Sequence, residues 1–257
     1  MLALRQVDYW ATVHRRVWRG TVVTSFVVPV FYLAAIGVGL GRYVDAAGST
    51  AAIGGLSYLD YVGPGLLAIT AMQTAVFEST YPVLARFIWQ KTYNAMIATP
   101  LRVRDVLVGH LGYVVLRLVT TCAVLLVVLA LFGVVHSVAA GLGAVAVAVL
   151  VGLAFAVPSF AFSARQENDS GFALLYRLGL IPMFLFSGAF FPVSQLPAAI
   201  AWIARLTPVW HGVELCRALI TGGVTVPAVV GHVGYLLLWV VVGWWLAERA
   251  FRRRLER

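Results

Sequence analysis

Arg86-Phe87-Ile88-Trp89-Gln90-Lys91-Thr92-Tyr93-Asn94-Ala95-Met96-Ile97-Ala98-Thr99-Pro100-Leu101-Arg102-Val103-Arg104-Asp105 is a polar stretch set between two long apolar runs. Both flanks are apolar enough to cross a bilayer. The stretch between them carries Arg86, Lys91, Arg102 and Arg104, the charge bias of a cytoplasmic connection. Trp89, Tyr93 and Met96 are spaced by four and three residues, which predicts a short helix with all three on one face. Thr99-Pro100 ends that helix, because proline lacks a backbone donor and restricts the residue before it. An apolar stripe on a cytoplasmic loop needs a surface to lie on. A soluble partner that moves the membrane part is one such surface, and lipid headgroups are another.

Composition sets the class. Of 257 residues, 61% are apolar and only 11% charged, too little charge to cover a soluble domain of this size. The chain reads as an all-α polytopic membrane protein. Its net charge of +9 is concentrated at the two ends and in the 86–104 loop, so it reports membrane orientation first. No basic face interleaved with aromatics points to nucleic acid. Cys122 and Cys216 are isolated within apolar segments and support neither a zinc site nor a disulfide framework. The apolar run near the N-terminus outlasts a signal h-region and lacks a cleavage site, so it is retained in the reading.

Six spans follow from the apolar runs, at about 21–41, 58–81, 105–134, 139–162, 171–190 and 229–250, each near the ~20 residues that a bilayer requires or longer. Residues 1–20 form an amphipathic segment, with Trp10 and Trp18 among Arg15, Arg16 and Arg19, suited to an interfacial helix on the anionic inner surface. Residues 21–257 then make one transmembrane domain. Gly37-Val38-Gly39-Leu40-Gly41 superficially resembles a nucleotide loop, but no strand precedes it and close helix packing explains it better. Residues 191–227 are too long for a turn and too apolar for a free loop. They divide at Thr207-Pro208 into two short helices, Leu196 to Leu206 and Trp210 to Ile220, which are re-entrant or lie on the outer surface. Fourteen of the 19 basic residues fall in the N-terminus, the 86–104 loop, the 163–170 loop and the tail. Arg42, Arg205 and Arg217 fall on the outer side. Both termini are therefore expected in the cytoplasm. No inverted repeat of the secondary-transporter kind is evident.

Two stretches carry a resemblance. Gln90 to Met96 with Thr99-Pro100-Leu101 and Asp105-Val106-Leu107-Val108-Gly109 resembles the coupling loop of type-2 ABC exporter permeases. Phe186-Ser187-Gly188-Ala189-Phe190-Phe191-Pro192-Val193-Ser194-Gln195-Leu196-Pro197, followed by Leu206-Thr207-Pro208 and Arg217, resembles the end of span five and the outer re-entrant helices of that family. Tyr61 to Gly65 and Phe77 to Tyr81 look most similar to the branch that exports lipo-oligosaccharides such as nodulation factors, with antibiotic-export permeases as neighbours. The resemblance implies a half-transporter of the inner membrane. Two copies, or two related permeases, would pair with two separate ATPase subunits that hold ATP and Mg, with no cofactor on this chain. It also implies ATPase coupling through Arg86, Trp89, Lys91, Tyr93, Asn94, Met96, Thr99, Pro100, Leu101 and Arg102, and an amphiphilic substrate. Independently of the resemblance, the chain has no Gly-x-x-x-x-Gly-Lys-Ser/Thr loop to cradle ATP phosphates.

Glu78, Arg117 and Arg177 are charges inside spans, where such residues face a bundle interior or an aqueous path. Counted from Arg86 and Asp105, Glu78 and Arg117 lie roughly 12 and 18 Å deep, close enough to pair between adjacent helices. A polar gate or headgroup contact and a structural ion pair are both open readings, and Arg177 is a candidate contact for an anionic headgroup. Phe186, Gly188, Phe191, Pro192, Leu196, Pro197, Pro208 and Trp210 make an outer gate on one reading and an interfacial aromatic belt on the other. His211 and Glu214 have a spacing that can hold a metal, but no third ligand is near in sequence, so no metal is assigned. Motifs of membrane proteases and hydrolases are absent, which leaves a transporter subunit rather than an enzyme. Export of a hydrophobic drug or natural product is the neighbouring function, and proton-coupled transport through Glu78 is the rival from another class.

Overall fold

The computed structural model of the chain describes residues 10, 12, 27, 30–41, 43, 46 and 53–256. The interfacial segment with Arg15, Arg16, Trp18 and Arg19, and most of the first expected span, lie outside these residues. Among the described residues the regular structure is helical throughout: α1 Tyr58–Ser79, α2 Tyr81–Ile88, α3 Thr92–Ile97, α4 Val103–Leu131, α5 Val138–Ser163, α6 Ser170–Leu185, α7 Ala198–Arg205, α8 Pro208–Thr221 and α9 Val226–Leu255. A π-helical segment, Ala34–Gly41, precedes them. Among the described residues three helices are long and apolar enough to cross a membrane, namely α4, α5 and α9.

The helix ends follow local chemistry. Ser57 caps α1, its Oγ accepting from the Asp60 amide at 3.1 Å. Thr80 breaks the chain between α1 and α2 at φ −108°, ψ −93°, with Pro82 opening the next helix and the Thr80 hydroxyl turned back to the Val76 carbonyl at 2.8 Å. Asp105 accepts from the Arg102 amide at 3.0 Å and so closes the start of α4. The expected fifth span was longer than α6, which stops at Leu185 because the chain turns through Gly188 at φ +80°. Within α6 the turn Leu175–Leu180 is π-helical. In contrast, α9 outlasts its apolar run to Leu255, with Arg252, Arg253 and Arg254 in a last turn whose free carbonyls favour cations.

Packing is organised on α5. Gly141, Ala144, Ala148, Gly152, Ala156, Ser159 and Ser163 recur every three or four residues and are all buried. Such a small-residue stripe lets neighbouring backbones approach closely where no water is present to drive helices together. Accordingly α1, α4, α8 and α9 all pack on α5. A β-carbon added at Gly152 would lie 2.5 Å from Leu118 of α4, and one at Gly243 of α9 would lie 2.7 Å from the Pro158 ring. The short helix α8 is not an outer-surface piece: Val209, Gly212, Val213, Leu215, Cys216 and Ile220 are buried against α1 and α5. Its neighbour α7 does lie on the surface, with Trp202 and Ile203 exposed. The perimeter is apolar, with Val230, Leu238, Val241 and Trp245 of α9 exposed as on a lipid-facing helix.

Gly212→Ala tests this close packing, since the added carbon would meet the stiff Val151 side chain at 2.2 Å. The expected cost is about 1–3 kcal/mol, read as a lower thermal unfolding midpoint in detergent. Gly143→Ala, whose added carbon meets Leu219 at an ordinary 3.6 Å, is expected to leave that midpoint essentially unchanged.

Candidate functional site

The polar stretch folds into two faces. Between α2 and α3, Lys91 adopts a left-handed conformation at φ +50°, and this single residue interrupts helical periodicity. Trp89 therefore sits before the break and is 68% exposed, whereas Tyr93 sits after it and is fully buried. The expected common face of Trp89, Tyr93 and Met96 is corrected accordingly: Trp89 points out, Tyr93 is core and Met96 packs at its edge. Lys91, Asn94, Thr99, Pro100 and Arg102 are exposed with Trp89 and make the outer face of the loop, while Leu101 packs at the edge of the core.

The inner face is a joint built on His110 of α4, which the sequence reading did not single out. Arg86 Nη1 lies 3.1 Å from His110 Nε2, and the Tyr93 hydroxyl lies 2.5 Å from Nδ1. Arginine can only donate, so Nε2 is the acceptor, and Nδ1 carries the hydrogen and donates to Tyr93. His110 is thus a neutral imidazole held in one tautomer by two partners. Trp10 stacks on its ring at 4.3 Å, with the Arg86 guanidinium 4.2 Å over the indole. On the other side Phe160 of α5 meets His110 edge-on at 4.9 Å, and Phe251 of α9 meets both Tyr93 and Phe87, at 5.5 and 5.0 Å.

The tail closes this end. Arg254 Nη1 donates to the carbonyls of Ser163, Ala164 and Gln166, at and just beyond the C-terminus of α5, and the same guanidinium lies over Phe87 at 4.4 Å. Arg104 and Arg252 both bind Glu248, at 2.6 and 2.9 Å, joining α4 to α9.

Deeper in the bundle, Arg117 Nε reaches Glu78 at 2.9 Å, and the two side chains are only 15% and 9% exposed. The pair expected from helix depths is present. Arg177 is exposed on α6 and forms no ion pair among the described residues, so the structure does not bring it to Glu78 and Arg117.

The opposite end of α1 holds a second polar knot. Arg217, counted on the sequence as part of an outer connection, is buried in α8. Its Nε donates to the Tyr61 carbonyl at 3.1 Å, Nη1 to Glu214 at 2.7 Å and Nη2 to the Gly188 carbonyl at 2.7 Å. The Tyr61 hydroxyl donates to the same Gly188 carbonyl, and the guanidinium lies 3.8 Å over the Tyr61 ring. Glu214 is thus engaged by Arg217, and His211 meets His232 at 2.8 Å instead of joining Glu214 around an ion. Burial, reinforced by His232, pulls His211 down to about 4, so the His211 ring is uncharged in this contact. No group of three metal-ligating side chains occurs among the described residues. Phe186, Leu196 and Trp210 pack around Val193 beneath α7, Pro208 is buried at the start of α8, and Phe191, Pro192 and Pro197 lie along the connection between α6 and α7.

The sequence model of the ABC-2 type transporter family matches residues 10–221, which takes in Arg86, Tyr93 and His110 of the joint and the Arg217 knot. The chain belongs to the ABC-2 type transporter family. It is similar to nodulation protein J of Rhizobium leguminosarum bv. trifolii, 32% identical over 255 residues, covering 96% of this chain and 94% of that one. Nodulation protein J of Rhizobium meliloti (strain 1021) is 31% identical, and that of Bradyrhizobium diazoefficiens is 30% identical, each covering 96% of this chain and 94% of the relative. An ABC-2 member is a membrane-integral permease of an ABC exporter, and membership implies an ABC ATPase as partner. In such a permease Glu78 and Arg117 form a mutually neutralising pair inside the bundle.

Removing one member strands the other. Glu78→Ala is expected to cost about 3–5 kcal/mol, measured by unfolding in detergent. The joint change of Glu78→Leu with Arg117→Met is expected to recover most of that loss, and a double-mutant cycle reads the coupling.

Proposed function

We propose that the chain is the transmembrane half of an exporter that moves an amphiphilic lipo-oligosaccharide or lipid-linked glycan outward, driven by ATP hydrolysis on two separate cassette subunits. Six spans with both termini in the cytoplasm of a bacterial inner membrane, and a second permease copy or close relative, complete the assembly. In this reading residues 86–104 are the coupling segment. The carrying observation is the division of that segment into an exposed face around Trp89 and an inner face fixed by Tyr93, Arg86 and His110. A motor gripping the outer face would move the helices α4, α5 and α9, which meet at the joint. The reading of the substrate is supported by the resemblance to the lipo-oligosaccharide branch and by relatives named for nodulation. Proton coupling through Glu78 has less support, because its carboxylate is already engaged in an ion pair with Arg117.

Copurification with the cognate ATPase tests the coupling segment. Trp89→Asp is expected to weaken retention of the ATPase by about tenfold or more, roughly 1.4 kcal/mol. Tyr93→Phe keeps the ring but removes the bond to His110, and is expected to retain the ATPase while lowering ATP-driven transport in proteoliposomes. Uphill transport by the permease alone under a pH gradient would end this reading.

A further inference from the structure

The end of α1 away from the joint borders an open cavity of about 300 Å³ whose walls include Tyr61, Ser194, Arg205, Trp210, Glu214 and Arg217. That volume lies at the lower end of the range of small-molecule sites, enough for about one sugar ring with its neighbours extending outward. Its scaffold is rigid. Gly188 has φ +80°, and a β-carbon there would lie 2.9 Å from Val193 and 3.3 Å from the Trp210 ring. No side chain therefore intervenes between the indole and the Gly188 backbone. The rings of His211 and His232 meet Trp210 edge-on at 4.9 and 5.5 Å and hold its orientation.

The polar groups around that indole are unequally engaged. Arg217 is directed at Tyr61, Gly188 and Glu214 Oε1. Glu214 Oε2 accepts no hydrogen bond among the described residues, although the side chain is 39% exposed. Arg205 and Ser194 are exposed, and Arg205 forms no ion pair among the described residues. The cavity thus offers one fixed aromatic plane, a carboxylate acceptor, a guanidinium donor and a hydroxyl. A pyranose ring presents the complement of this set, an apolar C–H face for the indole and hydroxyls at its edge that both donate and accept. A phosphate fits less well, because Glu214 repels it and the indole gives it nothing to bind.

We infer that this cavity binds the sugar moiety of the exported amphiphile. The inference rests on the export reading above and assigns the headgroup end of that substrate to Trp210, Glu214 and Arg205. The permease in lipid nanodiscs is titrated calorimetrically with cellotetraose and with its N-acetylated counterpart chitotetraose. Saturable binding of at least one of them is expected. Trp210→Ala and Arg205→Ala are each expected to weaken it by about tenfold, roughly 1.4 kcal/mol, whereas Trp210→Phe, which keeps an aromatic plane, is expected to weaken it less. Because Arg205 is exposed, its variant separates loss of contact from loss of fold.

Absence of binding to both sugars, or binding that neither Arg205→Ala nor Trp210→Ala weakens, overturns the inference. Displacement of bound sugar by excess inorganic phosphate also overturns it, in favour of an anion site. Parallel copurification of the wild-type permease with its ATPase keeps the two readings apart. If the ATPase is retained and no sugar binds, only the headgroup site falls. If no ATPase is retained, the export reading falls, whatever the titration gives.

Discussion

A buried imidazole with only one permissible hydrogen pattern joins the exposed loop around Trp89 to the long helices. His110 accepts from Arg86 and donates to Tyr93, so its two nitrogens connect α2 and α3 to α4. Around it, Trp10 joins Phe160 of α5 and Phe251 of α9 in the same cluster. In surroundings with little water, an unpaired nitrogen at this point would be costly, which makes the arrangement all-or-none. The small-residue stripe of α5 is its packing counterpart, because it brings the helix axes close enough for these side chains to meet.

The same rule governs the other two polar knots. Glu78 with Arg117, and Arg217 with Tyr61, Gly188 and Glu214, are charged groups buried only where partners accompany them. The three knots occupy different levels of the bundle and share α1 or its continuation in α2 as a common wall. Between them the contacts are almost wholly apolar. Specific geometry is thus concentrated at a few polar sites, while the remaining surfaces need only fit in shape.

Much of this was legible in the sequence, for reasons that differ by residue. The long helices α4, α5 and α9 were readable because their apolar runs are of spanning length and end at glycines and charges, as at Gly133 and Arg252. The Glu78–Arg117 pair was readable because depth along a helix is a linear function of residue number. Tyr93 was misassigned because one left-handed residue, Lys91, shifts the face on which everything after it lies, and no lysine advertises that conformation. The burial of Arg217 was not legible because charge counting assigns a residue to a side of the membrane and says nothing of its exposure, whereas α8 turns inward. His110 was overlooked since a lone histidine within an apolar run gives no signal until the partners from α2 and α3 are folded against it.

The break at Thr80 bears on how force travels. Were α1 and α2 one straight rod, a load applied near Arg86 would arrive at Tyr61 as axial thrust, without change of direction. With the backbone turned at φ −108° and ψ −93° between them, α2 is a separate arm with its own axis. If the proposed motor grips this segment, a load on that arm would act on α1 as a torque about the Ser79–Tyr81 corner. The architecture is that of a bell crank, in which the direction of motion at one end is set by the angle of the corner and not by the length of the rod.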